Sequence, residues 1–220
     1  MPSLPLFPLG NVLLPGARMP LQLFEPRYLE LAQRLAGRPE SERTFGVVLI
    51  RSGHEVGPEA ARDLCDIGCE ARVDAMALAK AGPGTVLHLV ATGVRRFRLE
   101  GLEDAGTPYL TGEVTWLEEA PAAEDPEVAG LVAQVRVAHA RYLDTVGATA
   151  EPVEEVLGLI AYRTVEQMVL DVADRQRVLE APDAAGRLRL VLDLLRRETA
   201  IVENLGALPG TPDLGAAGLN

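Results

Sequence analysis

Phe45-Gly46-Val47-Val48-Leu49-Ile50 is a nearly unbroken apolar run rich in β-branched residues. It is too short for a buried helix and reads as a strand covered on both faces. Working outward, residues 4–9 and 19–24 are short apolar segments punctuated by proline and predict two earlier strands. Residues 68–79 and 85–99 flank Ala81-Gly82-Pro83-Gly84, which reads as a reversing loop because glycine accepts positive φ. Residues 109–117 add a further strand. One short helix is expected over residues 25–35, with Pro26 in its first turn, where the missing N–H costs nothing. Six or so strands and a single helix predict a closed or half-closed barrel over residues 1–118.

Near residue 119 the composition changes. Glu118-Glu119-Ala120-Pro121-Ala122-Ala123-Glu124-Asp125 is a polar, proline-containing linker. Asp125 as N-cap and Pro126 at N1 open a helix. Its apolar stripe is Val128, Leu131, Val132, Val135, His139, Tyr142, Leu143 and Val146, and Gly147 closes it. Val153, Val156, Leu157 and Ile160 predict a second helix. Thr164 with Gln167 fits a capping box and predicts a third, running through Met168 and Val172. A short helix over 175–180 precedes Pro182. Asp183 caps a long final helix carrying Leu188, Val191, Leu192, Leu195, Val202 and Leu205. The expectation is an α+β chain: a β subdomain over 1–118, a helical bundle over 119–205 and a disordered tail over 206–220, which is Gly-, Pro- and Ala-rich.

Charge and residue choice exclude several functions. The net charge is -11, and of 21 basic residues only Lys80 is a lysine. Counterion release on nucleic acid or anionic lipid needs a basic face, so nucleic acid is an unfavoured partner and no membrane partner is expected. A P-loop needs Gly-Lys-Ser/Thr, and Lys80 lies between Ala79 and Ala81. The serines are Ser3, Ser41 and Ser52, none in a nucleophile elbow and none in a context that matches Lys80 as a dyad. His54-Glu55 does not continue into a zinc-protease motif. Two cysteines and no charged leader point to a cytoplasmic protein.

The residues with chemical potential each have two readings. Cys65 and Cys69 form half of a metal site with His54 or His88, or are two small hydrophobes at a strand entrance. Tetrahedral zinc needs four ligands and no second pair exists, so neither metal nor cofactor is expected. His139 is either a packed histidine or a catalytic one without a sequence partner. Arg95-Arg96-Phe97-Arg98 places Arg96 and Arg98 on one strand face and Arg95 and Phe97 on the other. Arg95, Arg96 and Arg98 either contact nucleic acid or pair with nearby Glu100 or Glu103 on a solvated face. No clustered carboxylate, His and Cys set supports a small-molecule enzyme.

The N-terminal stretch carries more. Phe7-Pro8-Leu9-Gly10-Asn11-Val12-Leu13-Leu14-Pro15-Gly16 leads through Met19-Pro20-Leu21-Gln22-Leu23 into Phe24-Glu25-Pro26-Arg27-Tyr28. Prolines cannot donate to a ladder, so part of this chain lies at a sheet edge or in loops, where apolar residues suit docking of an extended peptide. The alternative is that Leu13, Leu21 and Phe24 fill the barrel. These residues resemble the signature of the Lon N-terminal (substrate-binding) domain family. Phe45–Ile50, the Ile67-Gly68 step, Gly93-Val94-Arg95-Arg96-Phe97 and Arg175-Gln176-Arg177-Val178-Leu179-Glu180-Ala181-Pro182-Asp183 are similar to its later blocks.

The resemblance implies a PUA-like pseudo-barrel followed by a helical bundle. It also implies a module that captures unfolded or degron-bearing polypeptide, with a separate protease or chaperone as a possible recipient. In full-length Lon proteases the region precedes an ATPase and a Ser–Lys protease; lysine and serine usage here carries neither, so a standalone, non-enzymatic member is expected. Candidate peptide contacts are Leu13, Leu14, Met19, Leu21 and Tyr28; RNA binding through Arg95, Arg96 and Arg98 is the alternative. Purified protein is expected to hydrolyse no ATP and to bind far less than one zinc per chain. ATPase activity that follows the protein through two chromatographic steps, or stoichiometric zinc lost in Cys69→Ala, contradicts these expectations.

Overall fold

A computed structural model describes residues 2–52, 63–81, 84–118, 126–149 and 157–205. The chain divides into two compact units, Met1–Glu118 and Glu119–Asn220. Its class is α+β: the described strands all lie in the first unit, and the second is helical. The linker 119–125, with the expected N-cap Asp125, residues 150–156 of the expected second helix, and the tail 206–220 lie outside the described residues.

The first unit contains β1 (Ser3–Leu9), β2 (Arg18–Leu23), α1 (Pro26–Ala36), β3 (Thr44–Ser52), β4 (Asp63–Leu64), β5 (Ile67–Ala81), β6 (Gly84–Glu103) and β7 (Thr111–Trp116). β1 lies parallel to β3, with Leu6 opposite Gly46, and antiparallel to β7, with Leu4 opposite Gly112. β7 pairs with β6, β6 with β5, and β5 with β3, all antiparallel. The pairing therefore returns to its starting strand and leaves no edge in the ring. β2 pairs with the first half of β6, on the side that β7 occupies further along.

Inside, Leu4, Leu6, Val48, Phe97 and Val114 form one buried cluster, with Leu64, Leu99, Leu110 and Trp116 packed against it. The run 45–50 is indeed covered for most of its length: residues 45–48 are buried and Leu49 and Ile50 half-buried. In α1, Pro26 takes the first helical position, and Tyr28, Leu31, Ala32 and Leu35 face inward at helical spacing. Tyr28 stacks on Phe7 with centroids 4.0 Å apart, and Arg34 donates to the Tyr109 hydroxyl at 2.7 Å.

The second unit contains α2 (Pro126–Val146), a 3-10 turn at Leu157–Leu159, α3 (Ile160–Glu166), α4 (Val172–Glu180) and α5 (Ala184–Leu205). The α2 stripe buries Val128, Leu131, Val132, Val135, His139, Tyr142 and Leu143. Gly147 at φ 68° ends the helix, and the Ala148 N–H reaches back to the Leu143 carbonyl. Asp183 caps α5 by accepting from the Gly186 N–H at 2.7 Å.

The expected helix from Thr164 through Val172 does not form. Thr164 is buried inside α3, and Gln167 is its C-cap, with its N–H on the Thr164 carbonyl. Burial of Ile160, Ala161, Tyr162 and Val165 starts the helix one turn earlier and overrides the box. The next helix is capped instead by Asp171, whose side chain accepts from the Asp174 N–H at 2.7 Å.

Two buried ionisable groups make this unit acid-sensitive. Burial alone would raise the Asp174 carboxyl, but hydrogen bonds from Arg197 at 2.5 Å and Arg177 at 2.8 Å overcome it and hold the group below its ordinary value. His139 is buried with no partner for Nε2 among the described residues, and burial lowers its pKa. In each case the unfolded chain binds the proton more readily, so stability is lost as pH falls below the unfolded values of about 6.5 for His and 3.9 for Asp.

Three outcomes follow for denaturant and thermal melts. Asp174→Asn is expected to cost about 1–3 kcal/mol at neutral pH and to flatten the transition below pH ~4. His139→Leu removes the destabilisation that sets in below about pH 6. Gly68→Ala, whose Cβ would stand 2.5 Å from the Phe97 ring and 2.6 Å from the Val47 carbonyl, is expected to cost about 1–3 kcal/mol or more.

Candidate functional site

The five N-terminal candidates separate by burial. Leu13, Leu14 and Tyr28 are interior side chains, so they hold the unit together and offer no anchor to a partner. This corrects their reading as docking residues: Tyr28 belongs to the α1 face packed on Phe7, and Leu14 lies under β6, its carbonyl 2.2 Å from where a Cβ on Gly93 would sit. Met19 and Leu21 are half-buried on β2 and remain accessible.

Strand register shows what surrounds them. Beyond the ring, β2, β6 and β5 continue as a three-stranded arm, with Leu21 opposite Leu89 opposite Met76, and Leu23 opposite Leu87 opposite Leu78. Directly opposed residues share a face. From Met19 to Leu78 one face is aliphatic: Leu23, Val73, Leu89 and Ala91 are buried on it, Met19, Leu21, Met76 and Leu87 are half-buried, and Leu78 is 73% exposed. The other face carries exposed Pro20, Gln22, His88, Ala75 and Ala77. A bulge at Asp74 keeps Val73 and Met76 on the aliphatic face despite their odd spacing.

The two outer edges of the arm differ. The Gly93 N–H donates to the Ala17 carbonyl at 2.9 Å. Ladder alternation then turns Met19, Leu21 and Leu23 toward β6 and Arg18, Pro20 and Gln22 outward. Pro20 thus has its missing donor on the open side, which blunts this edge. On β5 the Val73 N–H points outward and donates to the Arg43 carbonyl at 2.9 Å. Past the bulge, the backbone groups of Met76 and Leu78 face outward in the same sense. Among the described residues no strand pairs with β5 beyond Arg72 on that side.

The arginine cluster is not a basic patch. Arg96 is 2% exposed. Arg95 donates to buried Glu70 at 2.7 Å and lies 3.6 Å over the Trp116 ring. Its partner is thus Glu70 across the ladder, neither Glu100 nor Glu103. Arg98 is exposed, and among the described residues no ion pair engages its guanidinium. Cys65 and Cys69 are buried and not joined in a disulfide, and burial pushes the Cys69 thiol far up, away from thiolate chemistry. No group of three or more metal-ligating side chains occurs among the described residues, and His54 lies outside them. No described helix is long and apolar enough to cross a membrane.

The helical unit has a surface groove of about 660 Å3 between α2 and α5, floored by Ala133, Val137, Leu192 and Leu195. Its charged rim is self-paired, with Arg141 on Glu203 at 2.8 Å. The aliphatic face of the arm was only partly visible in the sequence. Met19 and Leu21 were found through the proline-rich signature, whereas Met76, Leu78 and Leu87 join them only through cross-strand register.

Comparison with known proteins agrees with this architecture. Residues 3–197 match the family model described as the ATP-dependent protease La (LON) substrate-binding domain. Lon protease of Anaeromyxobacter dehalogenans is 30% identical over 208 residues, and Lon protease 2 of Myxococcus xanthus is 30% identical over 207. Each alignment takes in 91% of this chain and 24% of the relative, so the chain spans about a quarter of the length of the curated relatives it matches. Among solved structures, a Lon N-terminal domain protein from Xanthomonas campestris superposes with a TM-score of 0.62 at 29% identity, covering 88% of this chain and 98% of that one. The N-terminal domain of Mycobacterium avium complex Lon protease shares the fold, with a TM-score of 0.63 at 20% identity over 89% of this chain and 98% of that one. The chain belongs to the Lon substrate-binding domain family.

Proposed function

We propose that this chain is a non-catalytic substrate-recognition module that binds unfolded or extended polypeptide on the aliphatic face of the β2–β6–β5 arm. The observation that carries the reading is that Met19, Leu21, Met76, Leu87 and Leu78 stand partly exposed on one sheet face, around the buried side chains of Leu23, Val73, Leu89 and Ala91. Exposed apolar surface of this kind marks an interaction site, and burying it offers roughly 25 cal/mol per Å2 before ordering costs. The strand ring fits the PUA-like pseudo-barrel of the family reading. Cytoplasmic location, and delivery of bound polypeptide to a separate protease or chaperone, belong to the same proposal.

RNA binding is the weaker reading. It requires Arg95, Arg96 and Arg98 to reach phosphate together, whereas Arg96 is buried and Arg95 is committed to Glu70 and Trp116. The net charge of -11 adds long-range repulsion.

The test is a paired titration of a reduced, carboxymethylated protein and a labelled RNA. Binding to the unfolded protein is expected to be micromolar or weaker and nearly independent of salt. Leu78→Asp, at a position already exposed, and Leu21→Asp are each expected to weaken it about tenfold, since burying one leucine is worth about 1.5–3 kcal/mol. Arg98→Ala should leave it unchanged. Tighter RNA binding that collapses with salt and with Arg98→Ala overturns the assignment.

A further inference from the structure

Resting on that reading, we infer that bound polypeptide adds to the arm as an antiparallel strand along the β5 edge at Met76 and Leu78, and that its residues alternate apolar and polar. The argument starts where β3 stops. β3 covers β5 only from Cys69 to Arg72, and upstream of Thr44 the chain passes through a 3-10 turn at Glu40–Glu42 that lies beside Arg72, Val73 and Asp74. Its last hold on the edge is the Arg43 carbonyl on the Val73 N–H. Beyond that point no strand among the described residues pairs with β5 on that side, and Leu78 is 73% exposed.

What remains there is a specific chemical template. The outward backbone groups of Met76 and Leu78 are two residues apart, a repeat that only another extended backbone matches. Their side chains stand on the aliphatic face, while Ala75 and Ala77 turn their backbone groups to Val90 and His88 and their side chains to the polar face. In an antiparallel pair, the residue opposite Met76 both exchanges hydrogen bonds with it and shares its face. The guest residues that make the ladder are therefore the same ones that enter the apolar surface.

That coincidence defines the substrate class as strand-forming segments with apolar residues at every second position. The guest runs in line with β3 and so continues the existing sheet. Charge argues for a foreign segment over a second copy of this chain. Two copies carrying -11 each repel, whereas a neutral or basic segment does not. β2 offers no equivalent, because Pro20 faces its open side.

The experiment leaves the protein unaltered and modifies the probe, an eight-residue peptide of alternating valine and threonine with a lysine at each end. One version is N-methylated at the valines, another at the threonines. Loss of two ladder bonds is expected to weaken the valine-methylated peptide about tenfold or more, with the threonine-methylated peptide within about twofold of the parent. Hydrogen exchange should slow at the Met76 and Leu78 amides on binding and stay constant at Ala75 and Ala77.

Equal loss in both series, loss confined to the threonine series, or no added protection at Met76 and Leu78 overturns strand addition. If the carboxymethylated protein still binds in a Leu78-dependent way, recognition through the face survives without the ladder. If neither probe binds, both readings fall. Self-association of the chain that the peptide disperses shows the edge to be a self-interface and also overturns the proposal.

Discussion

How closely five strands can approach the ring of Phe97 decides whether the β unit closes at all. Phe97 is fully buried on β6, opposite Gly68 of β5 and Trp116 of β7. A Cβ on Gly68 would stand 2.5 Å from the ring, and one on Gly46 of β3 would stand 2.8 Å from it. Gly112 of β7 is cut to the same tolerance, 2.5 Å from Leu99 and 2.9 Å from Leu6 of β1. The absence of side chains at Gly46 and Gly68 lets β3 and β5 crowd around one aromatic ring, and at Gly112 it lets β7 close on Leu99 and on Leu6 of β1, which pairs with β3. That parallel closure removes the ring's edges, and it follows from interior volume more than from any local turn.

The same strand couples the core to the candidate site. β6 runs for 20 residues: its second half is clamped in the ring, and its first half carries the arm between β2 and β5. Register along a continuous strand is fixed once one part of it is fixed. The aliphatic face from Met19 to Leu78 therefore inherits its geometry from Phe97 and its neighbours. The bulges on β5 at 70/71 and 73/75 adjust the twist between the halves without breaking this link.

Local chemistry explains which parts were legible in advance. The run 45–50, the paired strands that flank the expected loop, Pro26 at a helix start and the stripe from Val128 to Leu143 are each encoded within a few residues, and each of these elements formed where its pattern lies. Long-range partnerships left no such trace. Sequence alternation separated Arg95 from Arg96 but could not show that Glu70, 25 residues away, would take Arg95, or that Arg96 would be buried. The capping box at Thr164 failed because it is a two-residue pattern competing with the burial of a whole helix face. Leu13, Leu14 and Tyr28 looked like surface anchors because proline-rich segments usually run along edges; here the prolines turn the chain so that its leucines point inward. Met76, Leu78 and Leu87 carried no signal of their own, since only pairing with β2 makes them one surface.

The unequal protection of the arm's two edges is the part of the design that bears most directly on recognition. An open edge on an apolar sheet invites pairing with any extended chain, and proteins ordinarily blunt it with proline or charge. β2 is blunted by Pro20, and β5 is not blunted at Met76 and Leu78. Leaving one edge bare is tolerable only if copies of the chain avoid each other, and an excess of 11 acidic groups supplies that separation in a way that does not depend on the edge itself. Because neutral unfolded chains feel no such repulsion, the proposed binding would discriminate between self and substrate through the field of the whole molecule. On the proposed reading, the edge and the aliphatic face then select only for an extended chain with apolar residues at every second position, and exclusion of self is left to charge.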